Sequence, residues 1–155
     1  MSEKRQLNIE VSAMHYQKLL IAIDDDDTTS SKRAFNYACT VAKAYQIPLG
    51  IVSILETGDL NIYQSLSPNI VADRRAEIAA DLEVYVQKAK AFGVEEVTPF
   101  VGEGNPGHVI VEEIIPAFQP DLVIVGSKTK PSKHLIGTHA SYLSKYAPCS
   151  VTVVR

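Results

Sequence analysis

Four short runs of continuous apolar residues divide the chain, and each has the length of a β-strand. The runs are LLIAI (19–23), LGIVSIL (49–55), LVIV (122–125) and VTVV (151–154). Runs that are apolar on both faces are typical of a parallel sheet that helices cover on both sides. A fifth candidate, VEEVTPFV (94–101), alternates polar and apolar residues and contains Pro99, which predicts a strand at the edge of the sheet.

Amphipathic patterns with a helical period lie between these runs. In the first pattern Ser30 and Ser31 are candidate N-caps, and an apolar face follows at Ala34, Ala38, Val41 and Tyr45. In the second, Gly93 is placed to end a helix whose apolar stripe is Ile78, Leu82, Tyr85, Ala89 and Phe92. A third helix is predicted from about 107 to 115, where Pro116 would end it, and a fourth from about 138 to 146.

This alternation of strands and helices predicts a single α/β domain. Right-handed crossovers convert it into a Rossmann-like, doubly wound sheet of five parallel strands in the order 3-2-1-4-5, with helices on both faces. Ligands of such sheets bind outside the carboxyl ends of the strands, at the point where the strand order reverses. The candidate site therefore lies at Asp24, at 53–55, and at Gly126 and Ser127. The connection 56–70 has no clear period and is either a lid, a partner surface or a plain loop.

Composition narrows the classes of function. The 155 residues are 46% hydrophobic and 21% charged, with a formal net charge of −3, which argues against binding nucleic acid or anionic membranes through bulk charge. No apolar run approaches the ~20 residues of a membrane helix, and residues 1–15 contain no signal-peptide core. We therefore expect a cytoplasmic protein, with residues 1–15 as an N-terminal extension of a domain that spans 16–155. The two cysteines, Cys39 and Cys149, are expected to be reduced thiols.

Two motifs suggest other chemistry, and their context weakens both suggestions. The run DDDDTTSS (24–31) would repel a flavin phosphate, and a response-regulator receiver would also need an acceptor aspartate at the end of the third strand, where this chain reads VTPFVGEG. A divalent-metal cluster on these aspartates remains an alternative to a polar turn that leads into a helix. The letters GEGNPG (102–107) match a dinucleotide fingerprint, but they follow a late strand and Pro106 removes a backbone donor, so we predict a turn into the third helix.

Signatures of catalysis and of metal binding are missing from the sequence. The four histidines show no metal-ligand spacing, and G-x-S-x-G, H-E-x-x-H and the Walker A pattern do not occur. No catalytic residue and no metal site is therefore predicted. The stretch GSKTKPSKHLIGTH (126–139) instead combines a Gly-Ser and a Gly-Thr pair with several basic side chains, directly after the predicted fourth strand. Glycines let a backbone approach a ligand closely, and a helix start offers free N–H groups to phosphate.

Taken in order, several segments resemble the universal stress protein family. They are KLLIAIDDDDTTSSKRAFNYACTVAKAYQIPLGIVSIL, GNPGHVIVEEI, DLVIVGS and LIGTHASYLSKYAPCSVTVVR, and they cover about 16–155. The closing segment, with Gly-Thr, a helix, Ala-Pro-Cys and an apolar strand, is the most specific part. The related pyrophosphatases carry SGGxDS after the first strand, and this chain does not.

The resemblance implies an adenine-nucleotide site and assigns its residues. Asp24 would face the ribose or the adenine edge, and the backbone near Ile54 would contact the adenine. The remaining implied residues would line the phosphates: Gly126, Ser127, Lys128, Gly137, Thr138 and His139. Family members that bind ATP carry G-x2-G-x9-G-[ST], whereas this chain has Thr129 in place of the second glycine and only the seven residues 130–136 before Gly137.

Three functions follow as alternatives. The first is a homodimeric stress protein that binds ATP or a related adenine nucleotide, with or without Mg²⁺, as a regulatory ligand and hydrolyses it slowly or not at all. The second is a nucleotide-independent dimer that acts through protein contacts, and the third is an enzyme of the pyrophosphatase or nucleotidyltransferase kind. The resemblance, together with the apolar edge formed by the last strand, implies dimerisation through Val151, Thr152, Val153 and Val154.

Overall fold

The computed structural model describes residues 3–24, 28–56, 67–127 and 138–155. Five strands run through this part of the chain: β1 (Leu19–Ile23), β2 (Leu49–Leu55), β3 (Val97–Glu103), β4 (Leu122–Gly126) and β5 (Ser150–Val154). The helices are α1 (Thr28–Tyr45), α2 (Pro68–Phe92), α3 (Pro106–Val109), a π-helical segment (Ile110–Ile114), α4 (Ile115–Phe118) and α5 (Thr138–Tyr146). No helix in these described ranges is both long enough and apolar enough to cross a membrane.

The five strands form one parallel sheet in the order β3-β2-β1-β4-β5. This confirms the predicted fold class and strand order. The four apolar runs are strands, and the weaker fifth candidate is the edge strand β3, shifted toward its carboxyl end from the predicted 94–101 to Val97–Glu103. The strand order reverses between β1 and β4, so a crevice is expected outside their carboxyl ends.

Alternate side chains of the strands pack into two separate cores. Leu19, Ile21 and Ile23 of β1 face a core that is completed by α1 and α2. Leu20 of β1 and Val123 of β4 face the opposite core, which is completed by α3, the π-helical segment, α4 and α5. Burial on both faces explains why the central strands contain continuous apolar runs.

The entry into β1 is fixed by one carboxylate. The side chain of Asp121 accepts hydrogen bonds from the backbone N–H groups of Gln17 and Lys18, at 2.8 and 2.9 Å. Residues 3–15, which precede this anchor, are exposed and lie outside the helices and strands.

The start of α1 differs from the sequence prediction. The helix begins at Thr28, so Ser30 and Ser31 lie inside its first turn and are not its N-caps. Its buried face consists of Ala34, Phe35, Ala38, Cys39 and Ala42. Tyr45, which we assigned to this face, is exposed because it lies at the end of the helix, where it stacks on His15.

The helix α2 ends as predicted, at Gly93. This residue has φ of 123°, a conformation that favours glycine, and its N–H donates to the carbonyls of Ala89 and Lys90. Ile78, Leu82 and Ala89 of the predicted stripe are buried together with Val86. Phe92 is exposed on one side, and the ammonium group of Lys43 lies over its ring at 4.7 Å from the centroid.

The prediction that Pro116 ends the third helix is wrong. Helical structure continues to Phe118 because a π-helical segment precedes the proline, and Pro116 occupies the first turn of α4. Proline is tolerated in the first turn of a helix, because the N–H group that it lacks would have no partner within that turn. The chain leaves the helix at Gln119, whose φ of 56° is left-handed.

The two edges of the sheet differ in their backbone donors. The bond from the Leu49 N–H to the Glu96 carbonyl shows that even-numbered residues of β3 direct their backbone N–H and C=O groups toward β2. The backbone groups of Val97, Pro99 and Val101 therefore face away from the sheet. Pro99 supplies no donor there. On β5, the bond from the Ser127 N–H to the Val154 carbonyl turns the even-numbered residues toward β4, and the N–H and C=O groups of Val151 and Val153 face outward.

Candidate functional site

The carboxyl ends of β1, β2 and β4 bring three of the predicted site residues to one level. Ile23 lies opposite Ser53, which places Asp24 level with Ile54 one residue further on. The pairing of β1 with β4 ends at Ile21 and Ile124, and Asp24 and Ser127 each follow three residues later. Asp24 therefore lies between Ile54 and Ser127 at the point where the strand order reverses.

The backbone of Asp24 is held by a single buried hydroxyl group. Ser31 Oγ accepts a hydrogen bond from the Asp24 N–H at 2.9 Å and donates one to the Asp24 carbonyl at 3.2 Å. Ser31 is 2% exposed, so both bonds are shielded from water. The first turn of α1 thus fixes the tip of β1, and the carboxylate of Asp24 is carried on an anchored backbone.

Gly126 allows β4 to pass directly against α1. A Cβ atom at this position would lie 2.6 Å from the carbonyl oxygen of Ser30, which is backbone and has little freedom to move. Ser127 follows, nearly buried, with its N–H bonded to the Val154 carbonyl at 2.8 Å. Close packing of β4 against α1 therefore explains why a glycine occupies position 126.

Ile54 lies at the tip of β2, with its peptide groups on the side of β1. The Leu19 N–H donates to the Pro48 carbonyl, so the even-numbered residues of β2 face β1. Ile54 follows this alternation and is level with Asp24, beyond the last residue of β1. Its side chain is half-buried against the α3 side, where Gly102 of β3 lies beside it.

The start of α5 reaches the same crevice through a contact between a histidine and a carboxylate. His139 Nε2 lies 3.0 Å from Glu56 Oε1, and both side chains are about one-third exposed. Glu56 follows directly after β2, while Thr138 and His139 form the first two residues of α5. His139 thus contacts the residue that follows β2, and Thr138 precedes it as the first residue of α5. Lys128 and Gly137 lie outside the described residues.

Glu56 is a residue of this site that the sequence analysis missed. The candidate tip of β2 was taken as 53–55 and ended one residue before it. A carboxylate directly after a buried strand was the available signal, since the same reasoning had selected Asp24 after β1.

The segment GEGNPG forms a turn into α3, as predicted. The Gly104 N–H donates to the Leu55 carbonyl at 2.9 Å, and Gly104 has φ of 127°. Asn105 caps α3, because its Oδ1 accepts from the His108 N–H and its carbonyl accepts from the Val109 N–H. Protein acceptors thus take up the N–H groups of Gly104, His108 and Val109.

Comparison with known proteins decides the family. The model of the universal stress protein family matches residues 15–155. The chain belongs to this family. A Staphylococcus haemolyticus protein named as a universal stress protein is 27% identical over 142 residues, which cover 90% of this chain and 85% of that protein.

Solved structures of the family share the fold. The universal stress protein UspA from Lactobacillus plantarum superimposes with a TM-score of 0.77 at 22% identity, covering 92% of this chain and all of the other. A universal stress protein in complex with cAMP gives 0.67 at 22% identity, covering 90% of this chain and 97% of the other. An Arabidopsis thaliana family member with AMP bound gives 0.63 at 24% identity, covering 89% and 90%.

The remaining candidate groups are the aspartate run after β1 and the two cysteines. Residues 25–27 of the aspartate run lie outside the described residues, and the described ranges contain no cluster of three or more His, Cys, Asp and Glu side chains placed to hold a metal ion. Burial raises the pKa of the Cys39 thiol to about 11, so this thiol stays protonated at neutral pH. Burial and the nearby Asp121 carboxylate both raise the pKa of the Cys149 thiol, which disfavours its reactive thiolate.

Proposed function

We propose that this protein binds an adenine nucleotide at the carboxyl ends of β1, β2 and β4 and uses it as a regulatory ligand in a cytoplasmic stress response. The observation that carries the proposal is the common level of Asp24, Ile54 and Ser127, with the start of α5 joined to the tip of β2 beside them. The proposal includes ATP and covers the nucleotide with or without Mg²⁺. Family members of the same fold that hold AMP or cAMP support the adenine-nucleotide class.

Each residue of the site has a distinct proposed role. The carboxylate of Asp24 would accept hydrogen bonds from ribose hydroxyls, and its anchored backbone would keep it in place. The peptide groups of Ile54 would contact the adenine edge. Gly126, Ser127 and Lys128 would begin the phosphate loop, and Gly137, Thr138 and His139 would direct N–H groups at the start of α5 toward the phosphates.

The described residues fit a nucleotide in part. Asp24 offers acceptors at the sugar position, and α5 has nine residues, which is long enough for its N-terminal N–H groups to attract an anion. The carboxylate of Glu56 is a negative charge beside the same helix start. The site therefore favours the nucleoside part and opposes part of the phosphate charge.

Identification of bound molecules tests the proposal. Purified protein is heated to release small molecules, which are identified by mass spectrometry, and melting is then followed with AMP, cAMP and ATP. A nucleotide at 100 times its Kd is expected to stabilise the protein by ~2.7 kcal/mol. No released nucleotide and no shift with any of the three would contradict the proposal and favour a nucleotide-independent dimer.

Dimerisation through β5 is a second part of the proposal. Val151 and Val153 turn their peptide groups outward at this edge, and such an edge can pair with the same edge of a second copy. The strand would contribute Val151, Thr152, Val153 and Val154 to the interface. On β3, the proline at position 99 removes a donor from the opposite edge.

Two proline variants test which edge is used. Val153→Pro removes an outward N–H from β5, and Val101→Pro removes the matching one from β3. Sedimentation equilibrium is expected to show a monomer for the first and a dimer for the second. A dimeric Val153→Pro variant would argue against pairing through β5.

A further inference from the structure

Two glutamates lie at the carboxyl ends of neighbouring strands, and their side chains lie on opposite faces of the sheet. Leu55 lies opposite Glu103, so Glu56 is one residue beyond the level of Glu103. Glu103 pairs with Arg75 of α2 at 2.6 Å, whereas Glu56 pairs with His139 of α5 at 3.0 Å. Only the Glu56 pair therefore reaches the helix whose start belongs to the proposed nucleotide site.

The charge of Glu56 has the same sign as a nucleotide phosphate. A helix N-terminus carries roughly half a positive elementary charge, which attracts phosphate and carboxylate groups alike. His139 is the second residue of α5, so its partner Glu56 places a carboxylate near this positive end. A phosphate that enters here meets a protein anion that already interacts with the first turn.

We propose that Glu56 is a specificity-determining residue that selects against phosphate charge, so that the site prefers a nucleoside monophosphate or cyclic monophosphate over ATP. This inference rests on the proposed nucleotide site. The opposing energy grows with the number of phosphate charges, because each added charge is repelled by the same carboxylate. Partial exposure of Glu56 makes the effect dependent on salt.

The effect is large enough to measure. Two unit charges 4 Å apart in bulk water interact strongly enough to change affinity about fivefold. Removing the Glu56 charge is therefore expected to tighten ATP binding about fivefold or more at low salt, AMP binding less, and adenosine binding not at all.

Glu56→Gln and a matched control test the inference. Calorimetric titration with adenosine, AMP and ATP is carried out in EDTA at low salt on the wild type, Glu56→Gln and Glu103→Gln. The control removes an equal charge from the neighbouring strand end, outside the nucleotide site. The expected result is a gain in Glu56→Gln that rises from adenosine to ATP and shrinks at high salt, with no such series in Glu103→Gln.

Each contrary outcome identifies what is wrong. If the wild type binds AMP but Glu56→Gln binds ATP no more tightly, the charge-selection role is wrong and the nucleotide site stands. Weaker ATP binding by Glu56→Gln would mean that this carboxylate assists the nucleotide, which also overturns the inference. If none of the proteins binds any of the three ligands, the proposed function itself fails.

A double-mutant cycle separates Glu56 from its partner. His139→Gln removes the group that pairs with Glu56 and is expected to weaken ATP binding. In the double variant Glu56→Gln/His139→Gln most of that loss is expected to disappear, because the repelling charge is gone. A loss of equal size with and without Glu56 would show that His139 acts on the nucleotide independently, which contradicts the proposed coupling.

Discussion

Two connections at the same end of the sheet contain glycine and lead into helices, yet the described residues beside them differ in what their polar groups contact. After β3, the N–H group of Gly104 donates to β2, and those of His108 and Val109 donate to Asn105. Near the end of β4, Asp24 follows β1 and Glu56 follows β2, and the Glu56 carboxylate contacts His139 of α5. A glycine pattern alone therefore says little about ligand binding; the partners of the donors say more.

Glycine has a packing role next to both connections. At the β3 end, a Cβ on Gly107 would lie 2.8 Å from the ring of Tyr142, and one on Gly102 would lie 2.7 Å from Ile54 Cδ1. At the β4 end, a Cβ on Gly126 would meet the backbone of Ser30. The two regions differ in whether the neighbouring atoms are backbone or side chain. Backbone atoms have less freedom to move, so a larger residue beside them lowers the free energy of unfolding more.

The largest expected effect comes from alanine at Gly126. Its Cβ would meet a backbone carbonyl at 2.6 Å, so α1 and β4 must separate, and we expect a loss of about 3 kcal/mol in the free energy of unfolding. Gly102→Ala meets the ends of two side chains and is expected to cost about 1 kcal/mol. Urea unfolding checks both variants, and equal losses would contradict the stated difference between backbone and side-chain neighbours.

Ser31→Ala tests the anchor of Asp24. It removes both hydrogen bonds to the Asp24 backbone in a buried position, which is expected to cost about 2 kcal/mol and to weaken AMP binding. Ser144→Ala is the control, because that hydroxyl bonds to the Ala140 carbonyl on an exposed helix surface. The account fails if Ser31→Ala is as stable as the control and binds AMP as tightly as the wild type.

Asn105→Ala is expected to have the smallest of these effects. It removes the cap of α3 and should lower the free energy of unfolding by about 1 kcal/mol. The thermal shift with AMP should persist, since the GEGNPG turn lies outside the proposed site. Loss of the shift in a folded Asn105→Ala protein would mean that this turn binds the nucleotide after all.

Much of the fold could be predicted because the strands are buried on both faces. Leu20, Ile51 and Val123 lie in runs whose neighbours are also apolar, a pattern that parallel strands between helices require. Gly93 ended α2 as predicted because the left-handed conformation at a helix end favours glycine. These signals are local in sequence.

The errors arose where tertiary contacts override local signals. Ser31 has the residue type of an N-cap, but its hydroxyl bonds to the backbone of Asp24, directly after the preceding strand β1. A proline usually ends a helix, but Pro116 lies in the first turn of α4, which directly follows the π-helical segment. The Glu56–His139 pair joins residues 83 positions apart, and no local pattern indicates it.

The most direct test of the central claim is calorimetric titration of AMP into the wild type and two aspartate variants. Asp24→Asn changes the carboxylate at the tip of β1, while Asp73→Asn removes the same charge from the exposed surface of α2. We expect the wild type and Asp73→Asn to bind alike and Asp24→Asn to bind about tenfold more weakly, since hydrogen bonds to charged groups contribute that much. Equal binding by all three proteins, or no heat at about 1 mM AMP, would contradict a nucleotide site at Asp24.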